Sequence, residues 1–496
     1  MAEAFNQLNF TKPFKWLVLA LCVKLILYFL FILPDNNPKR KFSGPFIKSA
    51  DHIEYLSPID NLIDKGVYAM GSSVEPYAGR LPGFIFPYIV FRVVLSEKAA
   101  TICLGAFILL MAVIASYVFS LLLYQLTKKR WAFVLGFLLI NFVPYFWHYD
   151  WTLHTNSLGS SCLIFFFYYF YLYITKHQSK YILHSGFFLA WLILLRGFCF
   201  FYLPVVILFI YMYGKKSNKD LKSILISLFI FILPLSVFEG MWITRNYMSL
   251  HAFVPLQTSF VPGGDSKNAE YGYKSSTKYS LTKLRELIFA WGGENAWYFK
   301  ESDFSWFTWS GSKLNDHKFD ESIFYAGLTK DTLLALRTDI IYSYKDSLSH
   351  KEQDSIENKI AETSSRLAAK FRTDRKGYYY FYSPLKRLKN YLFRNVCQDW
   401  PGADFENSNI FSKALKLLSL SQYLFLFLIL AGFPFFYYRK RKADGFSGLY
   451  LFCYCMVLAN ILPFMFVIPM AHFSYFIFGY VLSIPLLIFV IQKRIN

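Results

Sequence analysis

The chain lacks the cradles with which soluble enzymes hold nucleotides. It has no G-x-x-x-x-G-K-[ST] loop and no G-x-G-x-x-G turn, so a nucleotide donor finds no glycine-rich backbone for its phosphates. It has no G-x-S-x-G elbow, which removes the usual hydrolase nucleophile. Histidine is scattered, and the two in HYDWTLH are His148 and His154, too far apart for the i, i+4 pair of a zinc protease helix. Of the seven cysteines, only Cys397 lies in a polar stretch, which argues against a disulfide framework and a cysteine metal site. Charge is also scarce. Only 17% of residues are charged while 55% are hydrophobic, and a water-soluble surface cannot be built from that balance.

What is present is a series of long apolar runs, each near the length that crosses a bilayer core. Ten are expected, at about 14–34, 99–126, 131–148, 157–175, 181–197, 199–214, 222–243, 417–438, 447–469 and 472–491. No small-residue cleavage site precedes DNNPKRK, so the first run is read as a retained span rather than a signal peptide. The formal charge of +20 suggests nucleic acid at first sight. The excess instead gathers in short loops, at Lys128 to Arg130, Lys176 and Lys180, Lys215 to Lys222, Arg439 to Lys442, and Lys493 with Arg494. With ten spans these loops fall on one side, as the positive-inside bias requires. No nucleic-acid partner is expected.

The opposite side receives 35–98, the turn HYDWTLHTN and a segment of some 170 residues. The predicted architecture is therefore an all-α polytopic membrane protein of about ten transmembrane helices. It divides into an N-terminal membrane module (1–243, including the outer loop 35–98), a mostly helical soluble outer segment (244–416) and a C-terminal three-helix module (417–496). Stretches 276–299 and 352–372 read as helices, and GGDSKNAEYGY at 263–273 as loop. GFIFPYIVFRVVL at 83–95 is short, with Pro87 and Arg92, and reads as an interfacial helix on the outer face. Lys24, inside the first span, is expected to snorkel to the cytoplasmic rim.

Ionisable groups gather near the outer headgroup plane. Asp51, Glu54 and Tyr55 share one side of a helical turn. Arg80 opens GRLPGF, Asp150 and His154 occupy the second outer turn, Arg245 and Asn246 close the seventh span, and His472 opens the last. Arg196 lies in LILLRGFCFF, where a charge without a partner or ligand is costly. Asp60, Asp64 and Lys65 read as ordinary loop charges.

Four stretches in order, ADHIEYLSPIDNLIDKGVY, GRLPGFIFP, LILLRG and WITRNYMSLHAFVPL, resemble the GT-C glycosyltransferases that use polyprenyl-phosphate sugars. The nearest resemblance is to the protein O-mannosyltransferase and aminoarabinose-transferase-like branch, over about the first 260 residues. The resemblance implies an acid after the first span facing the reaction centre, which is Asp51, and a second acid from the next outer turn, Asp150. The branch's Arg-Pro after span five stands here as Arg196-Gly197, and its Arg-Tyr before the final span as AHFSY. Some members hold a divalent metal (Mg, Mn or Zn) on the acidic pair, a role open here to Asp51 with Asp150. The donor implied is a sugar on a lipid phosphate, whose tail dissolves in the bilayer. Asp51 then deprotonates an acceptor hydroxyl, and Arg80, Arg196 and Arg245, with His154 and His472, hold the departing phosphate. A single displacement inverts the sugar carbon. The acceptor is a glycan, a lipid or a protein hydroxyl, approached from the periplasmic side of the inner membrane. Trp291, Trp297, Trp306 and Trp309 in the outer segment are either sugar-stacking rings or interfacial aromatics. The rival readings are a lipid-linked glycan flippase or other transporter, and an O-antigen polymerase or ligase.

Overall fold

A computed structural model of the protein describes residues 12–33, 41–49, 51–71, 76–251, 253–256, 279–295, 302–308, 317–325, 327–345, 347–393, 427–438, 447–468 and 476–495, with Ile410, Lys413 and Leu417. Helix α1 is Pro13–Leu27 and continues through a π-helical turn, Tyr28–Ile32. A hairpin follows, β1 (Lys41–Ser43) and β2 (Phe46–Lys48), then α2 (His52–Lys65) and α3 (Ile85–Arg92). Next come α4 (Glu97–Thr127), α5 (Arg130–Phe142), α6 (Pro144–Asp150), β3 (Thr152–Leu153), α7 (Thr155–Lys176), α8 (Ser179–Leu195), α9 (Leu203–Lys216) and α10 (Leu221–Leu250). A lobe follows with α11 (Tyr279–Ala290), α12 (Asp303–Thr308), α13 (Lys330–Tyr342), α14 (His350–Asp374) and α15 (Ser383–Phe393). The chain ends with a helix at Phe427–Tyr438 (α16), then α17 (Ser447–Phe466) and α18 (Ile477–Ile495).

Each of the ten expected runs forms an apolar helix. Six are long and apolar enough to cross a membrane, and four are shorter: Arg130–Phe142, Ser179–Leu195, Phe427–Tyr438 and Ile477–Gln492. The third run, expected unbroken over 131–148, is split. Pro144 cannot continue the backbone ladder, and Val143 before it is extended at φ −69° and ψ 122°. The chain restarts as α6 and turns sharply into β3. Residues 83–95 form a 3-10 turn and the eight-residue α3, too short to span a bilayer.

Burial separates the helices by role. In the most apolar stretch of α7, 78% of residues are buried, against 17% for α10. A helix enclosed on every side belongs at the centre of a bundle, whereas α10 presents most of its surface to lipid. Helix α8 packs on both. Gly186 makes the second contact possible, because a Cβ there would lie 2.2 Å from the Phe231 carbonyl oxygen.

A second hydrophobic core lies apart from the first, in the lobe at 279–393. It joins Leu284, Leu287, Trp291, Trp306, Leu336, Ile360 and Phe371. Trp291 and Trp306 are 1% and 2% exposed, so of the two readings offered for them neither holds: their rings are core packing. Trp297 and Trp309 lie outside the described residues, as does the 263–273 loop. Helix α14 opens with a capping box between Ser349 and Glu352, which fixes its start two residues ahead of the expected one.

The first span is tied to the turn after α6 by an ion pair. Lys24 does not run to the rim. It is 1% exposed, its ammonium donates to the Asp150 carboxylate, and its carbonyl accepts from Trp151 Nε1 at 3.2 Å. The aromatic rings around it close the route to water, with Tyr28 and Trp151 4.3 Å apart. Removing one partner of such a pair strands the other charge, at about 3–5 kcal/mol. Lys24→Ala is therefore expected to lower the melting temperature of the detergent-purified protein sharply. Lys24→Met combined with Asp150→Leu should recover most of the loss, and a double variant no better than the single would refute the pairing.

Candidate active site

The small sheet positions the site. Strands β1 and β2 pair antiparallel around Gly44, whose φ of +58° is the left-handed conformation a tight hairpin turn needs. Strand β2 then pairs parallel with β3, Ile47 opposite Thr152 and Lys48 opposite Leu153. The Ile47 N–H donates to the Trp151 carbonyl at 2.8 Å, and Ser49 Oγ donates to the Leu153 carbonyl at 2.8 Å. Two parallel strands leave the sheet together. The residues just beyond them, Asp51 and His154, therefore emerge side by side although a whole span pair separates them in sequence.

Around that point five expected residues meet. His154 Nε2 lies 4.0 Å from Asp51 Oδ2. Arg80 Nη2 lies 3.6 Å from the same oxygen, and its guanidinium donates to Glu54. Arg80 also sits over the Tyr55 ring, 5.1 Å from its centroid, a cation–π contact. His154 is flanked by Tyr149, stacked at 5.3 Å, and by Tyr55, edge-on at 6.4 Å. Its Nδ1 accepts from the Asn156 backbone N–H at 3.3 Å, capping α7. In the neutral ring the proton then sits on Nε2, facing Asp51.

Arg196 reaches the same place from the end of α8. It is 6% exposed, donates to Asn156 Oδ1 at 2.6 Å, and lies 3.2 Å from both ring nitrogens of His154. The backbone of Gly83 allows the approach of the Arg80 loop, since a Cβ there would lie 2.4 Å from the Leu194 carbonyl carbon. The first turns of α7 add polar atoms that the sequence reading did not single out. Thr155 Oγ1, Asn156 Nδ2 and Ser160 Oγ are buried without a hydrogen-bond partner among the described residues. The signal was present in HTNSLGSS, a cap followed by small polar residues at the positive end of a helix.

Other expected residues lie elsewhere. Arg245 donates to the carbonyls of Tyr77 and Tyr68 at 2.8 and 3.1 Å and to Asn246 Oδ1 at 2.8 Å, while Asn246 Nδ2 donates to the Val254 carbonyl at 3.1 Å. These bonds fasten Tyr68 and Tyr77 to the end of α10. Asp150 is 3% exposed, with Lys24 on one oxygen and Ser157 Oγ donating to the other at 2.5 Å. The Lys24 ammonium takes the position a cation on Asp150 would need. No group of three His, Cys, Asp or Glu able to hold a metal occurs among the described residues. His472 lies outside the described residues. Asp60 and Asp64 are tied to Arg92, holding α2 against α3, at 2.8 Å each.

A family model described as Dolichyl-phosphate-mannose-protein mannosyltransferase matches residues 104–242, less than a third of the chain. The match supports a GT-C glycosyltransferase using a polyprenyl-phosphate sugar. It covers α4 through most of α10, and so includes His154 and Arg196 but not Asp51 or Arg80. No curated protein and no solved structure matches the chain. A glycosyltransferase of this type works within a membrane on a lipid-linked sugar and an acceptor, as the apolar helices accommodate.

Burial pushes the Glu54 carboxyl above the usual range; Arg80 pulls it back, and Asp51 adds to the rise. A carboxyl whose native value is raised keeps its proton longer in the folded state than in the unfolded chain. The stability it contributes is complete below the ordinary glutamate range and is lost as pH rises through the raised value. The melting temperature of the native protein relative to Glu54→Gln should therefore fall as pH increases across that window. A difference that stays flat, or rises, would contradict the assignment.

Proposed function

We propose that the protein transfers a sugar from a polyprenyl-phosphate carrier to an acceptor hydroxyl on the outer face of the membrane, with inversion, Asp51 acting as general base. One observation carries the reading: an acid, a histidine and two arginines from three separate connections converge, with Asp51 3.6 Å from Arg80 and 4.0 Å from His154. Division of labour follows from their chemistry. The acceptor hydroxyl gives its proton to Asp51 as its oxygen bonds the sugar carbon from one side. The bond from that carbon to the phosphate oxygen breaks on the other side, so the configuration inverts. The lipid phosphate leaves with the bonding pair.

Charge thus grows on the phosphate, and fixed cations lower the barrier most where water is scarce. Arg196 suits that task. It is buried, already oriented by Asn156, and stands at the N-terminus of α7, where helix dipole and backbone N–H groups favour an anion. Arg80 balances the charges of Asp51 and Glu54. Arg245 and Asn246 act by holding Tyr68 and Tyr77. The residues 1–243 and 417–496 form the membrane modules in this reading, and 244–416 is the outer segment. We place the chain in the inner membrane, its site open to the periplasm, because the basic loops mark the other side as cytoplasmic. The mannosyltransferase match favours transfer over transport or flipping.

The test compares envelope glycans by mass spectrometry in the native strain, a deletion, and Asp51→Asn. Both altered strains should lose one sugar mass from a single glycan or glycolipid. With purified protein, Asp51→Asn should slow transfer by about 10²–10⁴-fold, the usual contribution of a positioned base. Unchanged glycans in Asp51→Asn would remove the base from the mechanism.

A further inference from the structure

The lobe at 279–393 holds a cavity of about 390 Å³ that the proposed transfer chemistry does not use. Its floor is the turn after α11. Gly292 has φ +71°, a left-handed conformation that favours glycine. Gly293 has no room for a side chain, since a Cβ would lie 2.0 Å from Asp303 Oδ2 and 2.3 Å from Trp291 Nε1. The glycine pair brings bare backbone against a carboxylate that is itself pinned. Asp303 accepts from Trp291 Nε1 at 2.9 Å on one oxygen and from His317 Nε2 at 2.9 Å on the other.

That pinning orients His317 as well. With its Nε2–H given to Asp303, the neutral ring keeps Nδ1 as an acceptor. Beside it are Asp320, whose Oδ2 accepts from Lys386 Nζ at 3.1 Å, and the exposed Lys318. Hydrogen bonds from Ser322 and from Lys386 hold the Asp320 carboxyl below its usual value, so it is an anion at neutral pH. Phe319 contributes a half-buried ring to the same wall. The cavity therefore offers fixed acceptors, ammonium donors and one apolar surface in a small space. A polyhydroxylated ring needs that combination, because each hydroxyl both donates and accepts while its C–H face is apolar.

The helix that lines this cavity also docks on the membrane bundle. Lys386 and Asn390 of α15 face the cavity. On the same helix Arg387 donates to the Met465 carbonyl at 2.7 Å, at the end of α17. Tyr391 Oη donates to Asn460 Oδ1 at 2.9 Å, and Asn460 Nδ2 donates to Tyr202 Oη at 3.0 Å, in the turn that begins at Arg196. A ligand in the cavity is thus held by an element rigidly joined to the connection that carries Arg196.

We infer that this cavity is a saccharide-binding subsite that holds the glycan portion of the acceptor; the acceptor role rests on the glycosyl-transfer reading above. The full-length protein in lipid nanodiscs is titrated with methyl α-D-mannopyranoside and with methyl N-acetyl-β-D-glucosaminide, followed by saturation-transfer NMR. At least one glycoside should bind, and Asp320→Asn or His317→Gln should weaken it by about tenfold, the loss of one charge-assisted or oriented hydrogen bond. Lys318→Ala, an exposed truncation with little effect on folding, should weaken it less but measurably. Binding should be the same in Asp51→Asn, which lies outside the cavity. No binding of either glycoside to the native protein, or equal binding by all three cavity variants, overturns the subsite. Intact binding together with unchanged envelope glycans in Asp51→Asn instead overturns the transfer reading, and with it the acceptor role.

Discussion

Everything at the candidate site depends on one short parallel pairing, β2 against β3. Apolar packing of membrane helices does not by itself fix the register of two connections, because it leaves some freedom of axial sliding and rotation. The pairing removes that freedom. A register of Ile47 opposite Thr152 decides that Asp51 and His154 leave the sheet on the same level. A slip of one residue would send each side chain to the opposite face. The core beneath is built to hold the register. Phe46 and Trp151 stack at 5.6 Å, and a Cβ on Gly105 of α4 would lie 2.4 Å from the Phe46 ring.

Three buried or half-buried ions in and around the bundle are matched by groups brought from elsewhere in the chain. Lys24 of α1 meets Asp150, Arg196 of the α8 connection meets Asn156, and Arg80 meets Glu54. In a medium of low dielectric such pairings are costly to break, so they specify how the helices assemble more than they add net stability. The consequence for chemistry is a site whose cations are preorganised before a substrate arrives. Little of the binding energy is then spent on orienting them.

Much of this was legible in the sequence, for physical reasons. Apolar runs of bilayer length report helices directly. Arg196 stood out because an isolated charge in LILLRGFCFF demands a partner. Asp51, Glu54 and Tyr55 shared a helical face, and the structure places them around Arg80. What escaped was whatever depends on pairing between distant segments. The strands at KFSGPFIK and TL are too short to show alternation, and only the Gly-Pro between two apolar pairs hinted at a hairpin. Lys24 and Asp150 each had an adequate local explanation, at a rim and in a loop, and only packing revealed that they neutralise each other. The outer aromatics were ambiguous for the same cause, since a tryptophan's composition is the same in a core and on a binding face.

The parallel seam between β2 and β3 involves very few bonds, chiefly Ile47 N–H to Trp151 and Ser49 Oγ to Leu153. Each is worth about 1 kcal/mol net. The membrane helices, by contrast, are anchored by one continuous apolar core. The seam is consequently the least costly part of the candidate site to open, and the apolar packing of the spans around it costs far more to disturb.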